Sequence, residues 1–292
     1  MKSLEHFDFK SWDISMPEKV QNRAVDALEK GNILYFPSLS FNLNAEEKCF
    51  LSAEKLSPKS KNINYDAKTD VLGGSLYVGQ EEKRLKEMMG RYALYSSQFL
   101  KRLTPRYEMH LIQARTSFRP SEIFGRKSSY RKDDTLLHVD AFPATPTRGK
   151  RILRFFTNIN PDGKPRVWRV GEPFLQVVEK MGPRISQPIF GTALLLKLLK
   201  ITKDKRSLYD HYMLQMHNRM KADGKYQKNV SFEEIQFPAG SSWILYTDQV
   251  SHAALSGQHV LEQTFYLPVN GLKDPSSSPL KMLEKALMKN LV

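Results

Sequence analysis

The spacing of hydrophobic positions changes along the chain. In the N-terminal third it is mostly helical. Pro17–Lys30 reads as a helix, with Pro17 suited to a first turn and Gly31 closing the end. Ala45–Leu56 also reads as helical, and Gln80–Leu103 as a long helix stopped by Thr104 and Pro105. Between them Asn32–Phe36 (NILYF) is a short buried strand ended by Pro37, and Tyr107–Arg115 alternates polar and apolar residues as a strand does. From Asp133 onward TLLHVD, RILRFFTNIN, EIQFP, SWILYTD and LEQTFYLPV form short strand-like runs separated by Gly, Pro, Asn and Asp. Helical material is interposed at Gly171–Lys180 and Arg206–Asp223.

Strands crowded into the second half with helices outside them predict an α+β fold, an antiparallel jelly roll flanked by helices. The expected organisation is one catalytic domain over 1–272. It has a helical N-terminal flank (1–106) and a jelly-roll core at about 107–272. The break KDPSSSP then begins a 273–292 appendage that ends in an amphipathic helix.

The 292 residues are 40% hydrophobic, too apolar for a disordered chain. Cys49 is the single cysteine, which rules out an intrachain disulfide and a Cys-rich zinc site and suits a reducing compartment. The first fifteen residues have no continuous apolar core and do not read as a signal peptide. The greasiest stretch, Ala193–Ile201, is interrupted by Lys197 and Lys200 and falls short of the roughly 20 apolar residues of a membrane span. These features predict a soluble or peripheral protein. The formal charge of +14 points to an anionic partner, for which nucleic acid, acidic lipid and phosphorylated small molecules all qualify.

The candidate chemistry centres on TLLHVDAFP. Residues two apart on a strand share a face, so His138 and Asp140 can point into one cavity and bind one cation. Two imidazoles and a carboxylate on one face of an octahedron form the site of non-haem Fe(II) oxygenases, with open positions for co-substrate and O2. His252, which follows the strand-like SWILYTD, is the expected third ligand. His259 is its rival, although Gly257 and Gln258 beside it read as a turn. The same ligands would also suit Zn²⁺ and hydrolysis. If iron is bound, 2-oxoglutarate is the usual electron donor, and its distal carboxylate calls for a buried arginine. No arginine follows Arg219, so the anchor must come from elsewhere, and RILRFFTNIN offers two. Arg151 and Arg154 lie on opposite faces of that strand, and Arg154 is favoured by its neighbours Phe155, Phe156 and Ile159. Thr135 is a candidate hydroxyl partner, and Gln263 or Thr264 could assist from the last strand.

Longer phrases carry a more specific signal. KDDTLLHVDAFP, RILRFFTNINPDGKPRVWRVGEPF, YDHYMLQMHNRMKAD and WILYTDQVSHAALSGQHVLEQTFYLPV cover most of Lys132–Val269. The N-terminal part adds a weaker match at NILYFP and LGGSLY. The sequence resembles the Kdo hydroxylases of Gram-negative bacteria, Fe(II)/2-oxoglutarate-dependent dioxygenases. The resemblance implies a double-stranded β-helix and hydroxylation of 3-deoxy-D-manno-octulosonic acid (Kdo) at C3 while it is attached to lipid A, by hydrogen abstraction and hydroxyl rebound. It implies that O2 and 2-oxoglutarate are consumed, with ascorbate as a reductant, and that His138, Asp140 and His252 hold the iron. Other readings are a nucleic-acid demethylase of the same superfamily, which usually carries an arginine pair that is absent here, and a non-catalytic lipopolysaccharide-binding protein.

A sugar acid on a phosphorylated lipid calls for a basic mouth. Arg148, Lys150, Arg166 and Arg169 cluster in turns near the His-x-Asp segment, with Trp168 among them to stack on a sugar face. Two segments also suggest an anionic bilayer as partner. Leu194–Arg206 sets a leucine run beside five basic residues, and PLKMLEKALMKNLV places Leu280, Leu283, Leu287 and Leu291 on one stripe. Together these features predict a cytoplasmic protein at the inner face of the inner membrane.

Overall fold

The computed structural model describes residues 3–126 and 128–292. Two sheets lie face to face. The larger has eight strands in the order β1-β2-β9-β6-β11-β5-β3-β4, and the smaller has three, β10-β7-β8. The strands are β1 (Leu4–His6), β2 (Ile33–Phe36), β3 (Ile63–Asp66), β4 (Val71–Gly73), β5 (Ile112–Arg119), β6 (Arg151–Asn158), β7 (Arg166–Val170), β8 (Glu233–Phe237), β9 (Ser242–Tyr246), β10 (His252–Ser256) and β11 (Val260–Leu267). The helices are α1 (Glu18–Glu29), α2 (Gly79–Leu103), α3 (Phe174–Met181), α4 (Thr192–Leu198), α5 (Leu208–Ala222), α6 (Gly224–Asn229) and α7 (Pro279–Leu287).

The period-two pattern sorts three apolar layers. On β6, Leu153 and Phe155 face outward to α1 and α2, joined by Leu267 and Phe265 of β11 and by Phe99, Leu100 and Leu103 of α2. Phe156 faces inward, where Trp168, Phe237, Trp243 and Leu245 fill the space between the sheets. Behind the small sheet α3, α5 and α7 bury a third layer that includes Leu137 and Val139. The site described below occupies the polar end of the space between the sheets.

Several expectations shift. Ala45–Leu56 yields only a 3-10 turn, Ala45–Phe50, and the strand expected at Tyr107–Arg115 runs instead at Ile112–Arg119 because Tyr107 is taken into a 3-10 turn behind Pro105. The N-terminal flank is not simply helical, since β1 to β4 all join the large sheet. The C-terminal segment is no appendage. Leu280, Leu283 and Leu291 of that segment are buried in the third layer, so its apolar stripe is consumed inside the protein.

Candidate metal centre

TLLHVD forms no ladder, only an isolated antiparallel bridge between His138 and His252. It is held instead by a closed pair of backbone bonds. The His138 N–H donates to the His252 carbonyl (3.0 Å) and the His252 N–H donates to that of His138 (2.9 Å). The Asp140 N–H donates to the Thr247 carbonyl at 2.8 Å. This pairing brings His252 to His138 and Asp140 across more than a hundred positions of sequence.

His138, Asp140 and His252 are all buried, and one ligand atom from each lies within 4.8 Å of the others. His138 Nε2 is 3.7 Å from Asp140 Oδ1. Nδ1 of His138 lies 2.8 Å from the Leu136 carbonyl and Nδ1 of His252 lies 2.8 Å from that of Val250. A carbonyl only accepts, so each Nδ1 carries the proton and each Nε2 keeps a free lone pair. Burial, and then the neighbouring His252, Lys221 and His217, push the His138 imidazole well below its usual pKa; burial likewise lowers His252. Burial pushes the Asp140 carboxyl upward, but Arg154, His252 and His138 overcome this and hold it well below the carboxylate range. Two neutral imidazoles and one carboxylate, with Asp140 Oδ2 buried and lacking a hydrogen bond among the described residues, form a donor set that fits a divalent cation such as iron.

Arg154 sits on the inner face of β6, with Nη2 at 3.3 Å from Asp140 Oδ2 and Nη1 at 3.3 Å from Glu262 Oε1. Glu262 is shared with Arg119, and Arg119 acts in turn on Arg166. Arg166 is 3% exposed and has no ion pair among the described residues; its Nη1 donates to the Gly257 carbonyl at 2.5 Å. Burial, and then Arg119, lower its pKa to about 9. Trp168 stacks on His252 (5.1 Å between ring centroids, 20° between planes), and His217 meets the His138 ring edge-on at 5.0 Å.

The structure separates the other candidates. Arg151 faces outward, away from the site, with Nε donating to Asp248 at 2.8 Å and Nη2 to Gln249 at 2.6 Å. Gln263 is also on the outer face, with its amide committed to Thr116 and Ala114. The Thr135 hydroxyl donates to Asp133 at 2.7 Å. Thr264 does stand opposite Arg154 and donates to Glu262 at 3.0 Å. The expected basic cluster is dispersed. Arg166 and Trp168 point inward because they alternate with Val167 and Arg169, whereas Arg169 lies over Phe232 and Arg148 pairs with the distant Asp204. Trp168 is buried and presents no open face to a sugar. His259 lies in the β10–β11 turn outside the cluster, and a second His-x-Asp, His6 and Asp8, is exposed. Arg119, Glu262 and His217 were missed, since no spacing in the sequence marks them and only the fold brings them to the site.

A jelly roll with a His-x-Asp and a distal histidine converging at one end defines the class of the non-haem iron oxygenases. The model of the 3-deoxy-D-manno-oct-2-ulosonic acid (Kdo) hydroxylase family matches residues 11–290, and the chain belongs to that family. A crystal structure of the Kdo hydroxylase KdoO, "a non-heme Fe(II) alphaketoglutarate dependent dioxygenase", in complex with cobalt(II) is 51% identical, with a TM-score of 0.97 over 99% of this chain and 97% of that one. The KdoO complex with alphaketoglutarate and Fe(III) is 50% identical, with a TM-score of 0.95 over the same shares. The complex with succinate and Fe(III) gives the same values. No curated protein matches the sequence.

Proposed function

We propose that this chain is an Fe(II)/2-oxoglutarate-dependent dioxygenase that hydroxylates C3 of Kdo carried on lipid A, working at an anionic membrane surface. The observation that carries this reading is the convergence of two Nε2 lone pairs and the Asp140 carboxylate in one buried pocket. His138, Asp140 and His252 would hold the iron. Iron with 2-oxoglutarate and O2 supplies the oxidising power that places one oxygen atom on a C–H bond, with succinate and CO2 released and ascorbate keeping the metal reduced. The protein's own part is positional. The Leu136 and Val250 carbonyls fix both tautomers, Trp168 holds the His252 ring flat, and the apolar layer beneath excludes water. Arg154, with Arg119 and Arg166 further along the row, offers the cations that the distal carboxylate of 2-oxoglutarate needs, while Thr264 and Glu262 orient Arg154. Arg166 is a buried cation with no carboxylate at ion-pair distance among the described residues, which supports an anion site there.

The test is mass spectrometry of Kdo-lipid A after incubation with the enzyme, Fe(II), ascorbate and 2-oxoglutarate. The expected result is a gain of one oxygen confined to the sugar, with stoichiometric succinate. Succinate release with unmodified Kdo would sink the substrate, and no succinate under any condition would sink the class.

A further inference from the structure

Residues 189–201 form a knob that the body of the protein does not cover. Ile189 is 79% exposed and Phe190 fully so, and Leu194, Leu195, Leu198, Leu199 and Ile201 each expose half or more of their surface. Helix α4 contributes no buried residue. Positive-φ residues bracket it, Gly191 at its start and Lys200 past its end, so the chain turns sharply on both sides. Isolated exposed leucines need no explanation, but seven large apolar side chains on thirteen residues do.

The charge around the knob selects the partner. Lys197, Lys200, Lys203, Lys205 and Arg206 flank the apolar surface, and Asp204 is the acid among them, already held by Lys197 at 2.9 Å and Arg148 at 3.4 Å. A groove of about 990 Å³ opens beside the knob, with Phe190, Leu194 and Leu291 on its walls and Arg148, Lys205 and Arg206 among its lining. An apolar surface with a cationic surround complements the acyl interior and anionic headgroups of a bilayer. The knob is also tethered to the site. Lys203 N–H donates to the Ala144 carbonyl (2.9 Å) and Arg206 Nη2 to that of Pro143 (2.5 Å), in the loop that leaves Asp140.

We infer that this knob is the element by which the protein seats on an anionic lipid bilayer. The inference rests on the reading that the sugar is lipid-borne, and it names the surface that brings the site to it. The C-terminal helix is excluded from this role because its apolar stripe is buried.

The experiment is flotation of the full chain with vesicles of phosphatidylcholine alone or mixed with phosphatidylglycerol. The wild type is expected to float with the mixed vesicles, less so at high salt, and only weakly with the neutral ones. Lys200→Gln/Lys203→Gln should weaken binding about thirtyfold, at roughly a fivefold loss for each near-surface cation. Phe190→Ser/Leu198→Ser should weaken it by on the order of a hundredfold. Both variants alter exposed side chains and should melt as the wild type does. Turnover of a water-soluble, deacylated Kdo oligosaccharide should be unchanged. A wild type that does not float, variants that float like it, or self-association of the wild type abolished by Phe190→Ser/Leu198→Ser would each overturn the proposal. Flotation needs neither iron nor 2-oxoglutarate, so a chain that floats yet oxidises nothing sinks the functional reading alone.

Discussion

The two faces of β6 treat arginine in opposite ways. Arg151, on the outer face, is fully buried, donates to Asp248 and Gln249, and stacks over the Tyr246 ring at 3.8 Å. Arg154, three residues on, makes no hydrogen bond among the described residues; it stands at ion-pair distance from two carboxylates, one of them a proposed metal ligand. A guanidinium with its own dedicated acid is part of the framework. A guanidinium that shares its acids is available to a third anion. Burial alone does not mark a functional arginine; the number of donors left uncommitted does.

The largest expected effect lies on the inner face. His138→Ala or Asp140→Ala should lower hydroxylation by about a thousandfold or more, with cobalt(II) binding lost in calorimetry. A fully active Asp140→Ala enzyme would refute the ligand assignment. On the outer face Arg151→Gln should leave Asp248 buried without its cation and cost about 3–5 kcal/mol in denaturant unfolding, while the KM for 2-oxoglutarate stays unchanged. Leu283→Ala tests the third layer, where about 3 kcal/mol should be lost to the cavity in the same measurement. Arg154→Gln should raise the KM for 2-oxoglutarate roughly 10- to 100-fold, and with Arg119 still paired to Glu262 it should cost less in unfolding than Arg151→Gln. If Arg151→Gln instead moved the KM and Arg154→Gln the stability, the contrast between the faces would be wrong.

The smallest effect is in the pH dependence. His138, His217 and His252 all have pKa values depressed by burial in the folded state. Below about pH 6.5 the unfolded chain takes up protons that the folded chain refuses, so metal-free stability should fall as pH drops from 7 to 5.5. The loss should be about 1–3 kcal/mol, read from unfolding midpoints in chelator, and His217→Gln should reduce it.

The sequence announced the ends of the site better than its middle. His138 and Asp140 were legible because a period of two is a local property, and the opposite faces of Arg151 and Arg154 follow from the same rule. His252 was legible from its place after SWILYTD. Arg119 and Glu262 were not, because they meet only through the antiparallel register of β5 and β11, which pairs Ser117 with Glu262 and Arg119 with Val260. Trp168 was read as a surface platform because its neighbours are basic, whereas strand alternation turns it inward. The stripe on 280–291 was ambiguous for a physical reason, since a core helix and an interfacial helix have the same periodicity and differ only in what stands opposite.

That buried stripe also bears on the order of assembly. Leu280 and Leu291 share a layer with Leu137 and Val139, the two residues that flank His138, and the Tyr209 N–H donates to the Leu291 carbonyl at 3.0 Å. The cushion under the first histidine is therefore unfinished until residue 291 has been synthesised. A nascent chain stalled before that point would carry every proposed iron ligand and still lack the firm bed that aims one of them.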